Sequence, residues 1–154
     1  MARTRASDYD DKRRAILNRS AELFSEHGYD RASMNKIAEA CRVSKANLYH
    51  YYKDKEALLF DVIRFHLEEL LEVVEAADKP DLPPKDRLRE LAGALLEAYR
   101  DADSQHNVQI NSMRFLPADR QAELRNMERE LVATFSDAVV GVAPQLKGTK
   151  MLKP

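Results

Sequence analysis

Between Ser33 and Glu56 the chain reads SMNKIAEACRVSKANLYHYYKDKE, and the groups here that can do chemistry are recognition groups rather than reagents. Lys45, Asn47, Tyr49, His50 and Tyr51 form one face of a short helical stretch and offer donors, acceptors and ring faces. These are the groups that read base edges or touch a thymine methyl. On the opposite side stand Ile37, Ala38, Val43, Leu48 and Tyr52, apolar enough to anchor the stretch on a supporting helix. A polar and aromatic face of this kind is costly to expose unless it meets a partner.

Catalytic chemistry has little support. The sequence holds no GxSxG elbow, no phosphate-cradling glycine loop and no acid pair in an identifiable pocket, so a non-enzyme is expected. One cysteine, Cys41, excludes an intrachain disulfide, a redox CxxC and a zinc-finger spacing, and is expected to pack as a small hydrophobe. His66 and His106, with Glu69 or Asp103 near them, repeat no metal-ligand spacing and are expected to be solvated. Neither a metal nor a cofactor is implied.

The elements that must position the recognition face are helices. Gly is scarce at 4 residues, Trp is absent, and Leu, Ala, Glu, Arg and Lys dominate, which predicts an all-α fold. Apolar spacing predicts a first helix over 11–27, closed by Gly28, and a second over 34–41 capped by Ser33. Arg42, Val43 and Ser44 form a three-residue break before a third helix over about 45–52. Asp54 caps a long fourth helix over about 55–77 with a wide apolar stripe. The proline-dense segment 79–84 is a loop, and helices follow over about 85–101, 104–115 and 117–140, the last opened by Pro117.

Charge is segregated along the chain. Residues 1–55 hold twelve Lys/Arg against eight Asp/Glu, and residues 56–154 hold thirteen against eighteen. A basic front on an acidic body suits a polyanion touched at one end. The N-terminus lacks a signal-peptide pattern and no run of about 18 apolar residues occurs, so a cytoplasmic protein without membrane contact is expected.

Read together, Gly28-Tyr29, Ser33, Ile37-Ala38, Val43-Ser44, the run Leu48-Tyr49-His50-Tyr51-Tyr52-Lys53-Asp54-Lys55 and Leu58 resemble the N-terminal signature of the tetracycline-repressor (TetR/AcrR) regulators. The likeness is sharp over residues 11–60 and beyond them is limited to the helical layout. It implies a three-helix helix-turn-helix DNA-binding domain over 1–54, continuous with a helical ligand-binding and dimerisation domain over 55–154. Carried over by position, it implies that Lys45, Asn47 and His50 face bases and that Tyr49 and Tyr51 contact the backbone. By the same likeness Lys55 reaches a phosphate, and Ser33 and Lys36 touch flanking phosphates; Ser44 caps the recognition helix and lies against the DNA. Arg3 and Arg5 are expected on an arm that enters the adjacent minor groove.

The same resemblance implies a homodimer on a palindromic operator of double-stranded DNA, most simply a repressor, released by a small hydrophobic or acyl-CoA-like effector. Leu67, Leu70, Leu95, Tyr99, Asn107, Asn111, Met113 and Arg114 are the candidate effector contacts, although a helix bundle also buries such residues in its core. Family members continue with two further helices that pack as a four-helix dimer interface, so Thr149 to Pro154 reads as a lead-in to another helix and the body as truncated. Two rival readings stay open. A protein-binding adaptor that kept the helix-turn-helix is opposed by Lys45, Lys53 and Lys55, and a small helical enzyme or carrier would use a cavity of the body.

Overall fold

Gly28 closes the first helix. It adopts φ +82°, a conformation that suits a residue without Cβ, and its N–H returns to Phe24 O at 2.9 Å. In the computed structural model, which describes residues 2–148 and side chains from residue 8 onward, this helix, α1, spans Ala2–His27. It begins before the expected position 11, because the residues ahead of Ile16 carry no apolar stripe from which periodicity could announce a helix. The side chains of Arg3 and Arg5 lie outside the described residues. Ile16, Leu17, Ser20, Ala21 and Phe24 make the buried face of α1, and Ser20 satisfies its hydroxyl by donating to Ile16 O at 2.7 Å.

Three polar caps start the next helices. Ser33 Oγ accepts the Lys36 N–H at 3.3 Å and opens α2, Met34–Ala40. Ser44 Oγ accepts the Asn47 N–H at 3.1 Å and opens α3, Lys45–Tyr51. Asp54 Oδ1 accepts the Ala57 N–H at 2.7 Å and opens α4, Lys55–Ala77. Helix α5, Pro84–Arg100, begins on a proline, where the missing N–H would have had no helical partner. Helix α6, Asp103–Ser112, tightens into a 3-10 turn at Met113–Phe115 instead of running on as one helix. Pro117 precedes α7, Ala118–Val142, rather than opening it, and a 3-10 turn at Pro144–Leu146 follows. Among the described residues all regular structure is helical, as composition predicted. No described helix is long and apolar enough to cross a membrane.

The chain forms two units. The first comprises residues up to Arg64 together with Ser104–Ala118; the second comprises Phe65–Asp103 and the residues from Asp119 onward. In the first, Ile37, Leu48, Leu58, Leu59 and Ile63 join the α1 face in a core from which water is excluded. In the second, Val74, Leu91 and Ala138 form the buried centre, flanked by Leu88, Leu95, Leu131 and Phe135. Arg87 closes this second core at its edge, with Nε and Nη2 donating to the two carboxylate oxygens of Asp78 at 2.7 and 3.0 Å and Nη1 to Asp137 at 2.7 Å. His66 departs from expectation. It is 2% exposed rather than solvated, and its ring meets Tyr99 edge-on at 6.0 Å.

Asp61 is the electrostatic centre of the first unit. Arg13 Nη2 on α1 donates to Asp61 Oδ2 at 2.6 Å, Tyr52 Oη at the end of α3 donates to the same oxygen at 3.0 Å, and Arg64 Nε donates to Oδ1 at 3.2 Å. Burial by itself would raise the Asp61 carboxyl, but hydrogen bonding and charge from Arg13, with help from Arg64 and Tyr52, outweigh it and hold the group below the usual carboxylate value. Burial in turn pushes the Tyr52 phenol up, so it stays a donor. The Asp61→Asn variant is therefore expected to lose about 2 kcal/mol of stability. A depressed folded pKa contributes stability above the unfolded value and loses it as pH falls through the folded one. Thermal unfolding from pH 7 to pH 3 should accordingly show the gap between wild type and variant narrowing below about pH 4. Asp78, held low by Arg87, titrates in both proteins and cancels from the comparison.

Candidate nucleic-acid interface

Helices α2 and α3 each contain 7 residues, too few to hold together in water without caps and packing. The turn between them is fixed by backbone bonds. The Val43 N–H reaches Ala38 O at 3.0 Å and the Arg42 N–H reaches Glu39 O at 3.0 Å, the paired pattern of a Schellman cap. Its left-handed position is held by Arg42 at φ 55°, the only non-glycine with positive φ among the described residues. Cys41, the last residue before that position, is half-buried, and burial pushes its thiol up, away from the reactive thiolate.

The inner side of α3 is locked. Leu48 is 0% exposed and Tyr52 4%, and Tyr52 is bonded to Asp61 as described above. The outer side is open: Lys45, Asn47, Tyr49 and His50 are all exposed, and the Lys45 ammonium stands 5.9 Å from the centre of the Tyr49 ring. Tyr51 is only half-exposed, because its ring stacks on Tyr9 of α1 at 4.7 Å with 23° between planes, while His50 meets its edge at 5.8 Å. The structure thus brings Lys45, Asn47, Tyr49, His50 and Tyr51 onto one short helix, with the Ser44 cap at its start. Ser33 and Lys36 lie at the start of α2, where the Lys36 ammonium points toward Arg31 O at 3.5 Å.

Lys55, at the start of α4, is half-buried and makes contacts within the unit. Its Nζ donates to Tyr29 O at 2.8 Å and lies 4.1 Å from the centre of the Tyr29 ring. That bond and the ring contact hold the end of α1 against the start of α4, and the ammonium keeps further N–H groups for other acceptors. Spacing gave no warning, because Lys55 and Tyr29 are 26 residues apart. Arg13 and Asp61 also went unnoticed, although Asp61 lies inside the apolar stripe of α4 between Leu58 and Val62, a charge at a core-facing position that signals a buried partner.

The candidate effector residues divide between the two units. Leu95 and Tyr99 line an apolar cavity of about 400 Å³ in the second unit, with Leu131, Val132, Phe135, Ser136 and Val139. Leu67 and Leu70, both on α4, are each 1% exposed. Asn107, Asn111 and Arg114 line a separate cavity in the first unit, and Met113 is 8% exposed beside them in sequence.

A capped helix, a turn fixed by paired backbone bonds and a second helix with a locked inner face and a donor-rich outer one define a helix-turn-helix protein. Residues 16–62 match the bacterial regulatory proteins of the tetR family, and residues 81–146 match the tetracyclin repressor-like C-terminal domain. The fold superposes on the crystal structure of a TetR-family transcriptional regulator from Bordetella parapertussis with a TM-score of 0.83 at 34% identity, covering 91% of this chain and 73% of that one. It is also similar to AibR, solved in complex with isovaleryl coenzyme A and operator DNA, at a TM-score of 0.75 and 28% identity over 87% of this chain and 73% of that one. Among curated relatives, the HTH-type transcriptional regulator YhgD of Bacillus subtilis is 25% identical over 93% of this chain and 80% of its own length. RutR of Escherichia coli is 36% identical over 58% of this chain, a stretch that spans only 42% of RutR. The chain belongs to the TetR family of transcriptional regulators. It carries the family's DNA-binding helix-turn-helix, and the domains it matches are those of regulators, not of enzymes.

The left-handed Arg42 makes a prediction about the turn. A side chain at positive φ costs roughly 1–2 kcal/mol, of which part returns as unfolded-state entropy when glycine replaces it. Arg42→Gly should therefore stabilise the protein by about 0.5–1 kcal/mol, and Arg42→Val should destabilise it by a similar amount. Thermal unfolding of the three proteins should rank them Gly above Arg above Val, and equal stability of the Val variant would contradict the left-handed turn.

Proposed function

We propose that this regulator is a ligand-responsive repressor that binds a palindromic operator as a homodimer and is released by a small hydrophobic or acyl-CoA-like effector. The observation that carries the DNA half is the outer face of α3. Lys45, Asn47, Tyr49 and His50 are exposed on a helix whose inner side is anchored by Leu48 and Tyr52, the arrangement that lets a helix lie in the major groove. In this reading Lys45, Asn47 and His50 read bases, and Tyr49 and Tyr51 contact sugar and phosphate. Ser33, Lys36 and Ser44 meet the backbone near the starts of α2 and α3, and Lys55, also bonded to Tyr29, reaches a phosphate with its remaining N–H groups.

The effector half rests on the apolar cavity lined by Leu95, Tyr99, Val132 and Phe135. About 400 Å³ is within the range of small-molecule sites, and its lining is apolar, with Tyr99 and Ser136 as its hydroxyl-bearing residues. AibR, whose structure holds isovaleryl coenzyme A and operator DNA, supports a short acyl-CoA as the first compound to try. Release is a population shift: the effector must prefer the spacing of the two recognition helices that does not fit two half-sites.

The test is fluorescence anisotropy with the DNA upstream of the protein's own gene at two salt concentrations. Wild type should bind tightly and lose affinity steeply with salt, and a Lys45→Ala, Tyr49→Ala double variant should bind at least tenfold more weakly, as expected for losing a base contact and a backbone contact worth about 1–3 kcal/mol each. Isovaleryl coenzyme A should release the wild type, while a Val132→Arg variant, charged inside the cavity, should keep DNA affinity and ignore the compound. A folded dimer that binds no DNA at low salt would favour the adaptor reading.

A further inference from the structure

In the first unit, the segment that follows α1 and one face of α6 enclose a cavity of about 320 Å³. Its lining gathers Arg31, Arg114, Asn107 and Asn111 around the rings of Tyr29 and Phe115. The helix-turn-helix does not account for it, and the apolar cavity belongs to the other unit. Neither Arg31 nor Arg114 makes a side-chain ion pair among the described residues, and Asp30 is the only acid in the lining. The Arg114 guanidinium is placed over the Phe115 ring at 5.0 Å, which orients its fork without neutralising it. Asn111 Nδ2 donates to Asn107 O at 3.1 Å and to Asn107 Oδ1 at 3.3 Å. Asn107 is thus an acceptor toward Asn111 and keeps the two N–H groups of its side-chain amide as donors.

The balance of the site is therefore two guanidiniums and an amide donor against one carboxylate. Both residues are exposed at one pocket, and each guanidinium offers a planar set of N–H groups matched to the oxygens of a phosphate. The wall behind them is rigid. Tyr29 stacks on Phe115 at 5.0 Å with 26° between planes, and the Lys55 ammonium is held at 4.1 Å from the centre of the Tyr29 ring. A preformed wall lowers the ordering cost of binding.

We infer that this cavity is a second ligand site, on the DNA-binding unit, for a compact phosphate-bearing anion held between Arg31 and Arg114 with Asn107 as a further donor. A phosphate group carries close to two negative charges at neutral pH and three acceptor oxygens, which suits two guanidiniums better than a single carboxylate does. The assignment does not depend on the operator reading, and no DNA enters its test.

Pyrophosphate titrated into the full chain by isothermal calorimetry at moderate salt should bind saturably. Arg31→Gln and Arg114→Gln should each weaken that binding at least tenfold. Both side chains are exposed, so circular dichroism and thermal unfolding should show the variants folded as wild type. Lys12→Gln, which removes an exposed cation from α1, should bind like wild type. No saturable binding, binding that survives both arginine substitutions, or an equal loss in Lys12→Gln would each overturn the site. Succinate binding as tightly as pyrophosphate would overturn the phosphate assignment.

Discussion

A carboxylate at the edge of a small core, Asp61, carries much of the geometry of the DNA-binding unit. It receives Arg13 from α1, Tyr52 from the end of α3 and Arg64 from its own helix, so three elements converge on one charge. Coulomb attraction is stronger where water is thinned out, and here the Asp61 side chain is only 16% exposed. The bond to Tyr52 matters most for function, because it fixes the far end of α3 while Leu48 fixes its middle. With the inner side pinned at two points, the rotation of α3 about its axis is set, and with it the direction of Lys45, Asn47, Tyr49 and His50.

Short helices do not present a face unless their ends are secured, and the sequence spends polar residues on that task. Ser33, Ser44 and Asp54 each satisfy an N–H that would otherwise lack a partner, and the turn after α2 satisfies two carbonyls through Arg42 and Val43. Aromatic contacts add the remaining constraints. Tyr9 stacks on Tyr51 and Tyr29 stacks on Phe115, ring pairs whose offset geometry is favourable beyond the area they bury. The 3-10 turn that carries Phe115 is thereby tied to the end of α1, and through Tyr29 to the Lys55 ammonium.

The second unit uses the same devices for a different purpose. Arg87 bridges Asp78 and Asp137 and closes the edge of a core built on Leu91, while Leu95, Val132 and Phe135 leave an apolar hollow beside it. An apolar hollow open to solvent leaves hydrophobic surface in water that a ligand could cover, which makes it a candidate for a ligand rather than a feature of stability. Polar residues expected at the same site, Asn107, Asn111 and Arg114, belong instead to the first unit.

The helices, most of their ends and the outward face of α3 are legible in the chain alone. Apolar periodicity, serine and aspartate caps and glycine stops act over three or four residues, and an order as specific as Val43-Ser44 followed by the run from Leu48 to Lys55 leaves few alternatives. Where the local signal is silent, the boundary moved: the polar start of α1 and the 3-10 turn at Met113 were not legible. Tertiary contacts alone bring Asp61 to Arg13 48 residues away, lay Tyr9 over Tyr51, join Lys55 to Tyr29, bury His66, and separate Leu95 and Tyr99 from Asn107, Asn111 and Arg114. Each of these depends on how helices cross, an angle set by the fit of many side chains at once and carried by no short stretch of residues.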